Sequence, residues 1–226
     1  MATRLVELGD LAGRRVLEVG CGTGTLAAAL AERWAAKLWA VDPSPEMLAV
    51  ARGRVPRTVG LKQAAAEELP FRDGWFERVA ARLVLHLVDR RSALAEVRRV
   101  LASGGRFVAA SFDPTHFDGY WLNRFFPELL ELDLVRFPGA DALSAELAAA
   151  ELVPRASERL VQRAAVTRED ALDRIRGRYI STLRLLPDDV FRGGLERAEA
   201  GLPERVDYEL RWLLVAADVP DSKADK

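Results

Sequence analysis

The stretch Glu18-Val19-Gly20-Cys21-Gly22-Thr23-Gly24 sets three glycines at alternate positions directly after a carboxylate. Glycine lets a chain turn tightly and approach a ligand closely, and the free N–H groups of a helix that follows offer donors there. Asp42 comes 22 residues after Gly20, at the end of the next apolar run, where a carboxylate can accept hydrogen bonds from ribose hydroxyls. Glycine-rich loop and strand-end acid together read as a site for an adenosine-containing cofactor. The spacing is G-x-G-x-G, whereas dinucleotide folds use G-x-G-x-x-G to seat a pyrophosphate on the helix end. Glu18 beside the loop repels a pyrophosphate and suits a cofactor that carries an ammonium and a sulfonium.

The elements that must position these residues follow from the hydrophobic rhythm. Arg15 to Val19 is a short β-rich run that stops at the glycines, and Leu26, Leu30 and Trp34 recur at helical spacing. Leu38 to Val41 is a second strand ended by Asp42-Pro43, a helix pattern spans Pro45 to Arg54, and a third strand lies near Val59 to Gln63. Trp75 to Ala81 is a fourth strand, Ala93 to Leu101 carries a helical stripe ended by Gly104-Gly105, and Arg106 to Ser111 is a fifth strand. This alternation means βαβ units and a parallel sheet with right-handed crossovers. After Ser111 the rhythm changes: aromatics crowd between Phe112 and Phe137. A helix pattern covers Ser144 to Glu151 and an extended run Glu158 to Val166. Thr167-x-x-Asp170 resembles a capping box opening a helix that reaches Leu186 before Pro187, and Tyr208 to Ala217 reads as a final strand.

With 226 residues, half of them hydrophobic and 30% charged, the chain has the balance of an ordinary soluble globule. Lys plus Arg is 33 against 34 for Asp plus Glu, which argues against nucleic acid as the main partner. Arginine supplies nearly all the basic charge, a compositional bias that discourages reading each arginine as a functional choice. One cysteine, Cys21, excludes an intrachain disulfide, and two histidines, His86 and His116, exclude a three-histidine metal site. No apolar run approaches the ~20 residues of a membrane span, and no secretory signal core opens the chain, so the expected location is cytoplasmic. The reading is a single domain over 1–218, with a cofactor half at 1–111 and a substrate or cap half at 112–218; residues 219–226 read as a disordered tail.

Val16 to Gly24 resembles the first motif of the class I S-adenosylmethionine-dependent methyltransferases. The resemblance continues through Val41-Asp42-Pro43-Ser44-Pro45-Glu46-Met47-Leu48, Ala66-Glu67-Glu68-Leu69-Pro70-Phe71, Leu85-His86, Glu96, Arg99-Val100-Leu101 and Gly104-Gly105. It is specific over 15–110 and points to the small-molecule branch that includes quinone-biosynthesis C-methyltransferases. It implies a Rossmann-like, doubly wound, mostly parallel seven-stranded sheet with helices on both faces and an antiparallel last strand. The implied cofactor is S-adenosyl-L-methionine, leaving S-adenosyl-L-homocysteine, with no metal; the implied partner is a small-molecule methyl acceptor, the protein being a monomer or homodimer. Gly20, Cys21, Gly22, Thr23 and Gly24 would cradle the methionine part, with Glu18 near its ammonium. Asp42 would hold both ribose hydroxyls, and Pro43 and Met47 would pack on the adenine. Ala66 and Glu67 would bracket its far side through backbone groups, and Arg82 would lie near the methyl end. The sequence departs from the pattern at Ala65 (usually Asp), at Glu77 (usually Asp) and at Leu87, where a second histidine is frequent. Family members often carry some 30 further residues ahead of the first strand that help close the site.

Methyl transfer is a displacement at an activated carbon, so a base is needed only where the nucleophile must lose a proton. His86, after the fourth strand, is either that base or a helix residue packed beside the sheet. His116, Tyr120 and Trp121 in the aromatic segment are candidate substrate contacts, alternatively the core of an added helix; Arg178 meets an acidic substrate or lies on a solvated face. An NAD-type oxidoreductase, a nucleic-acid or protein methyltransferase and a catalytically silent cofactor-binding protein remain alternatives. An intact glycine loop speaks against the last, and Ala81-Arg82-Leu83-Val84 replaces the N-P-P-Y motif of base methyltransferases.

Overall fold

The computed structural model describes residues 1–221. Its chain order is α1 (Ala2–Gly9), β1 (Arg15–Val19), α2 (Thr25–Trp34), β2 (Lys37–Asp42), α3 (Pro45–Arg54), β3 (Gly60–Gln63), β4 (Phe76–Arg82), α4 (Arg90–Val100), β5 (Leu101–Phe112), α5 (Glu128–Arg136), α6 (Ala140–Ala149), β6 (Val153–Thr167), α7 (Arg168–Arg176), α8 (Asp188–Gly201) and β7 (Arg205–Asp218). The seven strands form one sheet in the order β3-β2-β1-β4-β5-β7-β6. The pairs β1–β2, β1–β4, β2–β3 and β4–β5 are parallel, and the last strands are antiparallel. The parallel βαβ core expected from the strand–helix alternation, and the doubly wound seven-stranded fold that the resemblance implied, are the ones observed.

Two compact units make up the chain. The first comprises Met1–Ser111, Gly139–Glu158 and the segment from Leu213 onward; the second comprises Phe112–Pro138 and Arg159–Trp212. The units do not divide at residue 111 alone: α6 and parts of β6 and β7 belong to the first unit. In that unit Leu17 and Val19 of β1, Val79 of β4, Phe107 and Ala109 of β5 and Leu213 and Val215 of β7 are buried against Leu94, Val97, Leu143 and Leu147 of α4 and α6. Burying one such side chain contributes about 1.5–3 kcal/mol. The second unit has its own core, in which Leu122, Phe126, Leu129, Ile175 and Leu183 are almost wholly buried.

Several boundaries differ from the sequence reading. β5 begins at Leu101, not Arg106, and Gly104-Gly105 lie inside it. Leu101 sits opposite Phe76 but Arg106 opposite Arg78, so the glycines lie within an irregularity that lets the strand gain residues on its neighbour. Thr167 does cap α7, its Oγ1 accepting from the Asp170 N–H at 3.2 Å. That helix ends at Arg176, well short of Leu186: Gly177 closes it and Arg178 takes a φ of 45°. Pro187 stands before a further helix, α8, whose first turn holds Asp188 and Asp189. α1 also went unforeseen, and it buries Leu5, Val6 and Leu8. The tail does not begin at 219: Val219 is buried and its N–H donates to Gly105 O at 2.8 Å, which continues the pairing of β7 with β5. Residues 222–226 of that expected tail lie outside the described residues. Among the described residues no helix is long and apolar enough to cross a membrane.

Candidate cofactor site

The loop that leaves β1 is folded back on itself by local bonds. Cys21 N–H donates to Val41 O at 2.9 Å, and Gly24 N–H donates to Cys21 O at 2.9 Å. Gly20 has a φ of 69°, and a Cβ there would collide with the Val84 side chain. Gly24, the residue before α2, has a φ of 76°, and a Cβ there would crowd Val55 at 3.0 Å and Ala51 at 3.1 Å. Both positions thus demand glycine for conformation and for space. Arg54, at the end of α3, fastens the loop from outside: its Nη1 lies 2.7 Å from Thr23 Oγ1, 2.8 Å from Thr25 Oγ1 and 3.0 Å from Thr23 O.

Asp42 is buried at the C-terminal end of β2 and already holds its two neighbours. Its Oδ2 accepts from Gly22 N–H at 2.8 Å, and its Oδ1 accepts from Ser44 N–H at 3.0 Å. Ser44 in turn caps α3, its Oγ accepting from Met47 N–H at 3.1 Å. Each carboxylate oxygen has lone-pair capacity left for another donor.

A cavity of about 570 Å³ opens beside this arrangement, within the range of small-molecule sites. Gly20, Cys21, Gly22, Thr23, Asp42, Pro43, Met47, Ala66, Glu67 and Arg82 all line it. Four segments that are distant in sequence thus meet at the C-terminal ends of β1, β2, β3 and β4, where open α/β sheets bind ligands. Gly24 is set back at the start of α2. Glu18 lies beneath the loop, 2% exposed and hydrogen-bonded to the Ala27 backbone in the first turn of α2. Burial pushes its carboxyl up to about 8, opposed by the charge of Arg82 and reinforced by that of Asp42. Its Oε2 is buried without a hydrogen-bond partner, a costly state for a carboxyl and one that a cation would relieve. The Cys21 thiol, also raised by burial and by Glu18, to about 12, stays protonated.

Residues 17–109 match the methyltransferase domain family. A demethylmenaquinone methyltransferase of Thermus thermophilus is 34% identical over 177 residues, 65% of this chain and 78% of that protein. The chain belongs to the class I methyltransferase family. An uncharacterized methyltransferase of Mycobacterium tuberculosis is 47% identical over 95 residues, covering 42% of this chain and 38% of that protein, so this chain spans well under half the length of that relative. Among solved structures, the YcgJ protein of Bacillus subtilis superposes with a TM-score of 0.64 at 22% identity over 98% of both chains, a likeness of fold.

The methyltransferase cavity also has walls that the motifs did not signal. Ala64, Ala65, Leu83, Val84, Leu87 and Val88 line it. Leu83 has a φ of 54° and donates its N–H to Ala110 O at 2.8 Å. A positive φ in a leucine at the mouth of a strand is stored strain of the kind found at ligand sites, and nothing in a sequence without glycine there marks it. His86 is half-buried in the turn between β4 and α4, not in a helix. Four further candidates fall in the second unit. His116 is buried, stacked on Phe112 at 4.3 Å and beside Tyr120 at 4.7 Å, and burial lowers its pKa to about 4. Tyr120 belongs to that unit's core, its hydroxyl 2.5 Å from the Tyr179 hydroxyl, and Trp121 packs against the same core. Arg178 pairs with Asp188 at 2.6 Å and lies 4.0 Å from the Phe191 ring.

Proposed function

We propose that this chain is an S-adenosylmethionine-dependent methyltransferase that acts on a small-molecule acceptor. The observation that carries the reading is the buried Glu18 carboxyl, one oxygen unpartnered, set behind a glycine loop whose far side is fixed by Asp42. The residues present fit the cofactor. Glu18 would receive the ammonium of its amino-acid end, and Arg82, which lines the cavity and acts electrostatically on Glu18, would lie near that same end. Asp42, held still by Gly22 and Ser44, would accept from the ribose hydroxyls. Pro43 and Met47 would cover one face of the adenine. Ala66 and Glu67 would meet its edge through the backbone, since the Glu67 carboxylate is already engaged by the Asp89 N–H at 2.9 Å.

When bound, the cofactor supplies a methyl group already activated on a sulfonium. The protein's part is then to align donor and acceptor and to keep water out. His86, in the turn beside the cavity, is the group proposed to take a proton from an acceptor that must lose one. A small-molecule acceptor is supported by the near-zero net charge, which lacks the excess of basic groups that phosphates attract. The Thermus relative, whose name specifies demethylmenaquinone, supports it as well.

Calorimetry tests the reading. S-adenosylhomocysteine should bind in the micromolar range, about −8 kcal/mol, and NAD should fail to displace it. Tighter binding of NAD than of either sulfur cofactor overturns the proposal.

A further inference from the structure

Between β3 and β4 the chain crosses from Ala64 to Trp75 with no helix or strand. Fixing such a segment costs conformational entropy, and it makes few backbone bonds of its own, such as Phe71 N–H to Leu69 O at 2.8 Å. Yet Ala64, Ala65, Ala66 and Glu67 form one wall of the cavity. What holds the segment is α4. The Asp89 N–H, just before that helix, donates to Glu67 Oε1. Two turns on, Glu96 Oε2 accepts from the Leu69 N–H at 2.7 Å.

Arg99 completes the fastening, and all five of its N–H donors are used. Nε donates to Glu96 Oε1 at 2.6 Å and Nη2 to Glu96 Oε2 at 2.7 Å. The second Nη2 hydrogen goes to Leu69 O at 2.9 Å; the two on Nη1 go to Phe71 O and Asp73 Oδ1, both at 2.7 Å. The Arg99 carbonyl in turn accepts from Gly74 N–H at 2.9 Å. Asp73 is 80% exposed, so its arm contributes little. The bonds to Leu69 and Phe71 are the ones that fix backbone.

We infer that Glu96 and Arg99 are positioning residues for the adenine end of the cavity: they splint the β3–β4 segment to α4, and cofactor affinity depends on them although neither lines the cavity. The inference rests on the cofactor reading above. Lysine keeps the charge of Arg99 but not its planar fork, so it cannot span Glu96, Leu69 and Phe71 at once. If the wall is then in its binding geometry about a tenth of the time, the apparent Kd rises about tenfold.

The experiment compares wild type, R99K and E96Q for S-adenosylhomocysteine binding by calorimetry and for hydrogen exchange over 64–73. R106K, which weakens the Arg106–Asp218 pair (2.6 Å) elsewhere in the unit, is the control for a general loss of stability. R99K should raise the Kd about tenfold and speed exchange of the segment, E96Q should do both to a smaller extent, and R106K should lower the Tm with the Kd unmoved. A wild type that does not bind the ligand overturns the cofactor reading, and this inference with it. A wild type that binds, with the Kd of R99K within about twofold of it, overturns the inference alone. Should R99K not fold, an unchanged Kd in E96Q has the same force.

Discussion

Glu18 makes the affinity of the cavity depend on pH in a direction that can be worked out in advance. With its carboxyl raised to about 8 by burial, the ligand-free protein holds a proton there at neutral pH. An ammonium placed against Oε2 requires the ionised form, so binding must expel that proton. Between pH 6 and pH 7.5 the ionised fraction rises about 25-fold, equivalent to about 2 kcal/mol, and S-adenosylhomocysteine should bind tighter by that factor. Near pH 7 about 0.9 proton should leave per ligand bound, measurable by calorimetry in two buffers of different ionisation enthalpy. The ligand-free protein has the opposite trend. A group whose pKa is raised on folding adds stability that is complete below its unfolded value, near 4.5, and is lost as pH rises through about 8. Glu18→Gln should abolish proton release, flatten the affinity profile and weaken binding at pH 7.5, since a hydrogen bond to a charged group is worth about 1.5–3 kcal/mol. An affinity constant from pH 6 to 7.5, with no proton released by wild type, would refute the placement of an ammonium at Glu18.

Other residues give independent tests. Asp42→Ala removes the acceptor of two backbone N–H groups as well as that for the ribose, so cofactor affinity should fall more than tenfold by calorimetry and the Tm should drop; unchanged affinity in a folded variant would refute the role. Gly20→Ala should cost roughly 2–5 kcal/mol from the positive φ and the collision with Val84, read by denaturant unfolding, and Gly20→Ala with Val84→Ala should recover only part of the steric cost, because the Cβ at position 84 stays 2.8 Å away. His116 is lowered to about 4 by burial, with the Arg211 charge adding to the effect, so the unfolded chain takes up a proton that the folded one refuses. Stability should therefore fall as pH drops from 6.5 to 4, by roughly 3 kcal/mol from this group, and His116→Phe should remove that share of the slope.

The half of the fold that ends at Ser111 was readable because local and global signals agree there. Strands β1, β2 and β4 are short apolar runs, Ser44 and Pro45 announce α3, and the spacing from Gly20 to Asp42 already contains the register that pairs Val19 with Val41. At the start of β5 and past Ser111 the signals compete. Gly104-Gly105 read as a helix stop, and the sheet absorbed them as an irregularity inside β5. The pattern from Arg168 to Leu186 reads as one helix, but Arg178 in the left-handed region breaks it, and a positive φ in arginine leaves no trace in the sequence. At the site, residue types gave away the glycines and carboxylates. They could not show that Leu83 is strained, that Arg54 fastens Thr23, or that α4 holds the wall behind Ala66, since each involves groups, backbone or side chain, that meet across 20 or more positions.

The chain passes between its two units four times, near residues 111, 138, 158 and 212. Neither unit is therefore a contiguous segment, and no single cut separates them. A fragment ending at Ser111 would keep the glycine loop, Asp42 and Arg82. It would lose Leu143, Leu147, Leu213 and Val215, which bury the flank of β5 and α4, and it should expose Phe107 and Leu94 and aggregate. Synthesis from the ribosome meets the same constraint. The sheet of the first unit is incomplete until β7 has emerged, so the glycine loop is made long before the core that steadies it.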